Sequence, residues 1–167
     1  MEWKISDSRG FTLIEVVTAI IIAAILSAIA GMGLVQIANG YVFARKNAAV
    51  SQQAQVALAR LVKEFSEIRS VPSATATGLT YQRINVATGL PETHTLAWAG
   101  ADQPVTLDGD ALIGKVRSFS LTYYNYAYGT REFTALPYSA STMVIEVKFQ
   151  LTGYNETPLV FIERVTL

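Results

Sequence analysis

Residues 16–44 carry no charged side chain. As a helix, these 29 residues would rise about 43 Å, more than the roughly 30 Å hydrocarbon core of a bilayer, so one membrane span is expected. Immediately before the run stands a single carboxylate, in Gly10-Phe11-Thr12-Leu13-Ile14-Glu15. On insertion scales a carboxylate costs about 2.5 to 3.5 kcal/mol at the centre of such a helix and less near its end. Glu15 is therefore tolerable one turn in, but it calls for a compensating positive group.

Residues 1–10 are short and mixed in charge, with Glu2, Lys4, Asp7 and Arg9. They lack the separate apolar core and small-residue exit of a secretory signal peptide, so a cut, if made, falls before the apolar run. This arrangement closely resembles the class III signal of type IV pilins and of the pseudopilins of type II secretion systems. The resemblance implies that a membrane prepilin peptidase cleaves the Gly10–Phe11 bond and that the new N-terminal Phe11 is methylated. The amine so created would stand four residues from Glu15, near a helix N-terminus where negative charge is favoured. The same carboxylate could reach the amine of a neighbouring chain. The resemblance favours that second partner, with Glu15 setting register as subunits enter a filament; the plain alternative is an ordinary signal anchor with Glu15 among the lipid headgroups.

Flanking charge does not fix orientation, because Lys4 and Arg9 on one side are balanced by Arg45 and Lys46 on the other. The resemblance implies an N-terminus-in, single-pass protein of the inner membrane with a periplasmic head, later part of a pilus or pseudopilus. Its implied partners are the prepilin peptidase, other pilins or pseudopilins, an inner-membrane assembly platform, and membrane lipid before assembly. The absence of cysteine rules out a disulfide, a departure from many major pilins. With 13 basic and 13 acidic residues the formal charge is zero, which argues against a nucleic-acid surface built on a positive field.

Helical periodicity continues beyond the apolar run. Between Ala44 and Arg69 there is no Pro or Gly, and Val50, Ala54, Ala57, Leu61, Phe65 and Ile68 recur at spacings of three and four, forming one apolar stripe. Gln52, Gln53, Gln55, Arg60, Lys63, Glu64, Glu67 and Arg69 are assigned to the polar face. One nearly continuous helix from Thr12 to Arg69, about 85 Å long, is predicted, apolar all round in its first half and amphipathic in its second. Ala24, Ser27, Ala28 and Gly31 form small-x-x-x-small spacings that permit close helix approach in lipid. Gly31 and Gly33 fall where the resemblance would place a helix-bending Pro.

After Val71-Pro72 the period changes to two. Ser73 to Gly78 reads as a loop, and Leu79 to Val86 with Thr93 to Trp98 as a hairpin. A second group of strands begins after the turn signal Asp108-Gly109-Asp110. It contains Val116 to Tyr124, Thr142 to Leu151 (Met143, Ile145, Val147, Phe149 and Leu151 on one face) and a last strand from Leu159 to Thr166. The expected fold class is α+β, a long N-terminal helix packed on an antiparallel sheet, pilin-like. The organisation read from the sequence is a leader at 1–10, an apolar transmembrane or filament-core helix at 11–44, an amphipathic continuation at 45–70 and a β head at 71–167.

The order Lys115-Val116-Arg117-Ser118-Phe119-Ser120-Leu121-Thr122-Tyr123-Tyr124, Gly-containing loop, Val/Ile strand and terminal strand looks like minor pilins of the W type and pseudopilins of the J type. That resemblance implies a non-catalytic minor subunit that initiates or joins filament assembly; a major or adhesive pilin is the alternative within the class. A membrane-anchored ectodomain with ligand-binding or hydrolase activity is the alternative outside it. For catalysis the chain offers one histidine, His94, with no Cys nucleophile and no G-x-S-x-G elbow. No cofactor is expected. Asp102, Asp108 and Asp110 are the residues that could gather around Ca²⁺, but a D-G-D sequence is first a turn and calcium takes six to eight oxygens. Glu146 and Glu163 could stand together as a glycosidase pair or apart as strand residues. Tyr123, Tyr124, Tyr126, Tyr128 and Tyr138 form an aromatic region assigned to core and loop packing, with partner or carbohydrate binding as the other option.

Overall fold

The computed structural model describes residues 12–167. One helix, α1 (Leu13–Ser66), leads into strands β1 (Ser70–Ala74), β2 (Gly78–Ile84), β3 (Pro91–Trp98), β4 (Gln103–Leu107), β5 (Asp110–Ala127), β6 (Glu132–Ala135), β7 (Thr142–Thr152) and β8 (Pro158–Thr166). The chain divides into two compact units, Met1–Ala44 and Arg45–Leu167.

In the first unit every described residue is solvent-exposed, including Leu13, Ile14, Ile20 and Ile37 at 63% or more. Apolar surface of this extent is stable only when lipid or other helices cover it.

The second unit is an antiparallel sheet of eight strands in the order β1-β2-β3-β4-β5-β7-β8, with β6 paired to the far end of β5. Helical residues Ala54, Ala57, Leu58, Leu61 and Phe65 bury against its inner face. That face is made by Leu79 and Tyr81 of β2, Leu96 of β3, Val105 and Leu107 of β4, Phe119, Leu121 and Tyr123 of β5, Ile145, Val147, Phe149 and Leu151 of β7, and Val165 of β8. Alternation along β7 is as the sequence predicts: Ile145, Val147, Phe149 and Leu151 are buried while Lys148 is exposed. In β5 the register slips between Val116 and Ser118, so Val116 and Phe119 both face inward although three residues apart.

Several elements depart from the sequence expectation. The helix ends at Ser66 rather than Arg69. Its last turn tightens through Glu67 N to Glu64 O and Ile68 N to Phe65 O, both 3.3 Å, and Arg69 N then donates to Gln82 O in the sheet. Glu64, assigned to the polar face, is buried. Part of the expected 73–78 loop is strand β1, where Pro72 is tolerated because β1 lies at the sheet edge. Val86 belongs to the β2–β3 turn and is 97% exposed. Strands β4 and β6 were not expected. Asp108-Gly109, with φ of 57° and 88°, forms the two-residue loop of the β4–β5 hairpin, the left-handed pair that a type I′ turn needs.

Phe65 is fully buried and meets Tyr81 edge-on, ring centroids 5.9 Å apart. Phe65→Ala is expected to lower unfolding stability by about 3 to 5 kcal/mol. Val56→Ala, on the exposed side of the same helix, is expected to stay within about 0.5 kcal/mol. Denaturant titration followed by tryptophan fluorescence distinguishes the two.

Candidate functional site

Thr12 opens the helix. Its carbonyl accepts from the Glu15 and Val16 amides at 3.1 and 3.2 Å, and its hydroxyl Oγ1 accepts from Glu15 N at 3.3 Å. Glu15 therefore sits in the first helical turn, and its exposed carboxylate makes no hydrogen bond or ion pair with another described residue. Ile14, Ala19 and Ile22 lie beside it, so the charge stands on an apolar helix surface. The Thr18 and Ser27 hydroxyls donate back to Ile14 O and Ala23 O at 2.8 and 2.7 Å, which satisfies them inside the helix as an apolar medium demands. Ala24, Ser27, Ala28 and Gly31 are all exposed on this helix. Gly10 and Phe11, the expected processing residues, lie outside the described residues.

A cluster of titratable side chains of the head assembles where α1 ends. Tyr81 Oη donates to Glu64 Oε2 at 3.0 Å, and Arg83 Nη1 reaches the same oxygen at 3.0 Å and Glu67 Oε2 at 3.4 Å. Arg83 Nε donates to His94 Nε2 at 2.9 Å, and His94 Nδ1 lies 2.6 Å from Asp108 Oδ2. His94 Nε2 also lies 3.5 Å from Glu92 Oε2, so the ring stands between Arg83, Glu92 and Asp108. The Thr95 amide donates to Asp108 Oδ1 at 2.7 Å. This chain of bonds joins the helix to β2, β3 and the β4–β5 turn. Burial first, then the Glu64 charge and hydrogen bond, push the Tyr81 hydroxyl well above the ordinary tyrosine value. Burial alone would raise Asp108, but the His94 and Thr95 hydrogen bonds outweigh it and hold the carboxyl below its usual 3.8. Both His94 nitrogens are engaged within this network.

The sequence reading missed Glu64, Glu67 and Arg83 as members of this network. The available signal was that Glu64 lies three residues after Leu61 and seven after Ala57, on the stripe itself. Asp102, Asp108 and Asp110 do not form a metal-ligating group; among the described residues no cluster of three His, Asp or Glu side chains is arranged for one. Glu146 and Glu163 do not meet as a glycosidase pair. Glu146 pairs across strands with Arg164, 2.7 Å from its Nε, whereas Glu163 lies opposite Val147 and so on the other face of the sheet.

The tyrosines divide. Tyr123 is buried, donates to Thr75 O at 2.7 Å and meets Tyr138 edge-on. Tyr124 reaches Glu146 at 3.4 Å beneath the Arg164 guanidinium. Tyr126 packs with Tyr128 and Phe133 at the β5–β6 hairpin, where Tyr128 is 73% exposed.

Residues 5–31 match the family model of the prokaryotic N-terminal methylation motif. The N-terminal segment thus carries a prokaryotic N-terminal methylation motif, together with a long apolar helix and an antiparallel head, a layout similar to that of type IV pilin-like proteins. Neither the curated proteins nor the solved structures compared with it give a match.

The Asp108 geometry sets an acid limit. Its carboxyl binds its proton less readily folded than unfolded, so the stability it contributes is full above the unfolded value near pH 3.8 and is lost as pH falls through the lower folded value. Asp108→Asn is expected to be less stable at neutral pH and to lose less on acidification across that window. Denaturant midpoints measured over a pH series provide the comparison.

Proposed function

We propose that this chain is a non-catalytic filament subunit, a minor pilin or minor pseudopilin that initiates or joins assembly of a type IV pilus or type II secretion pseudopilus. The observation that carries the reading is the match at residues 5–31, together with the first part of the helix, 13–44, which is exposed throughout and bears one carboxylate, Glu15. Before assembly, lipid covers that surface, and the head lies on the periplasmic side of the inner membrane. On assembly, helices of other subunits replace the lipid, and Glu15 pairs with the amine of a neighbouring Phe11. Such a pair forms in a medium of low dielectric, where a misregistered subunit leaves both charges unpaired at a cost of several kcal/mol. Register is thereby selected by electrostatics while affinity comes from packing of the apolar helix. Neither cofactor nor metal enters this role, and the His94 network is structural.

Processing is tested by the mass and N-terminal sequence of the protein recovered from host membranes. A chain beginning at methylated Phe11 is expected; one beginning at Met1 would favour a simple anchored ectodomain. Assembly is tested by Glu15→Ala, which should leave membrane insertion and Gly10 cleavage intact while strongly reducing recovery in sheared filaments. Full incorporation of that variant would overturn the electrostatic mechanism.

A further inference from the structure

The end of the head next to the apolar run differs in charge from the end at which α1 stops. As a helix, residues 16–44 rise about 43 Å, which matches the roughly 40–45 Å of a bilayer with its headgroup layers. With Glu15 at one headgroup layer, Arg45 and Lys46 fall at the other, preceded by Tyr41, an exposed aromatic of the kind enriched at membrane interfaces. Asn47 follows at once and fastens the β7–β8 turn, 153–157. Its Oδ1 accepts from Tyr154 N at 2.8 Å, and Lys46 Nζ lies 4.3 Å from the centre of the Tyr154 ring. A Cβ on Gly153 would stand 2.6 Å from the same oxygen, so this close approach needs glycine. Lys115 precedes Val116, which stands opposite Leu151, and so reaches the same end of the sheet as Thr152, with Arg117 two residues on. Arg45, Lys46, Lys115 and Arg117 are all exposed. The carboxylates at this end are Asp102, whose amide donates to Val116 O at 2.9 Å, and Glu156 of the turn. Where α1 stops, Glu64, Glu67, Glu92 and Asp108 gather instead round Arg83 and His94.

We propose that this end of the head, with Arg45, Lys46, Lys115 and the β7–β8 turn, lies on anionic phospholipid headgroups of the leaflet through which the helix leaves the membrane. The proposal rests on the membrane span read above. Arg45 and Lys46 meet the phosphates from the helix itself, their methylene stems lying along less polar surface while their charges stay at the headgroups. Lys115 carries the contact across to β5, so the head is held at two places rather than swinging on one helix. Asp102 and Glu156 only partly offset the four cations, and the excess matches the sign of the lipid. Every copy docked in this way has its helix running in the same direction through the membrane, as filament entry demands. The attraction is screened by salt and depends on lipid, so it holds the head before assembly and is given up when a subunit leaves the bilayer.

The chain contains no cysteine, so single fluorescent probes can be placed on it. In the full chain reconstituted into vesicles, Thr152→Cys carries a probe at the docking end. Val86→Cys carries one beside Lys63, which is about 24 Å further along α1 than Asn47. Both positions are exposed, and Pro158→Cys, opposite Thr152, supplies a second probe at the docking end should Thr152→Cys misfold. The quencher is a phospholipid with a nitroxide on its headgroup, in vesicles of neutral phosphatidylcholine with or without anionic phosphatidylglycerol. Quenching is expected to be stronger at the Thr152 and Pro158 probes than at the Val86 probe. It should rise about twofold with anionic lipid and fall back in high salt or when Arg45→Gln, Lys46→Gln and Lys115→Gln are combined. A turn carried near the bilayer only by its attachment to the helix would be quenched alike in both lipids and with or without the three cations. That result, or equal quenching at the two ends of the head, would overturn the docking while the chain stays in the vesicles. Release of the chain by alkaline carbonate would instead overturn the membrane span, and the docking with it.

Discussion

The contact between residues 54–65 of α1 and the inner face of the sheet is what the head depends on. An eight-stranded sheet with one apolar face has no partner layer of its own, and an amphipathic helix with one apolar stripe has none either; each covers the other. The small side chains of Ala54 and Ala57 let the helix backbone approach closely, while Leu61 and Phe65 fill the space nearer its end. Tyr81, the largest fully buried side chain, receives Phe65 edge-on from the sheet side. This seam replaces what disulfides supply in many small exported domains, since the chain has no cysteine.

At the end of the seam the packing turns polar, and the chemistry there is one of orientation. Glu64 is a buried carboxylate, and its cost is offset by the Tyr81 hydroxyl and the Arg83 guanidinium converging on one oxygen. Arg83 in turn bonds to His94, and His94 engages Asp108 in the β4–β5 turn. A helix held only by apolar contacts can slide along a sheet at small cost. One whose buried Glu64 is bonded to Tyr81 and Arg83 of β2, with Arg83 tied on through His94 to Asp108, resists such a slide, because any shift leaves a buried charge unpaired.

How much of this was legible in the sequence depended on whether a residue obeyed its own local rule. The stripe through Ala54, Ala57, Leu61 and Phe65 and the alternation in β7 are properties of period alone, and they emerge directly. Glu64 obeys the stripe by position but violates it by polarity, and its burial depends on Tyr81 and Arg83, which lie 17 and 19 residues further on. Pro72 signals a loop unless the strand is known to lie at an edge, which is a fact of sheet order. β6 is exposed at every position and carries no burial pattern to read. At the N-terminus the relation was reversed: the methylation motif at residues 5–31 is legible through chemical context within a short stretch, with no tertiary information required.

The sheet order has a kinetic side. From β1 to β5 each strand pairs with the next in sequence, and β7 reaches back to β5 across only the β6 hairpin before β8 joins it. Every ladder is thus closed by a short loop, and the entropic toll of bringing distant segments together is small at each step. The one long-range docking event is the arrival of residues 54–65 on a face completed only when β7 and β8 are in place. Synthesis delivers that helix first and its binding face last, so until the C-terminal strands form, its apolar stripe has only a partial sheet to rest on. In a chain of this order the final strands act as the latch of the head, and loss of them would be felt at residues 54–65, about a hundred residues earlier in the sequence.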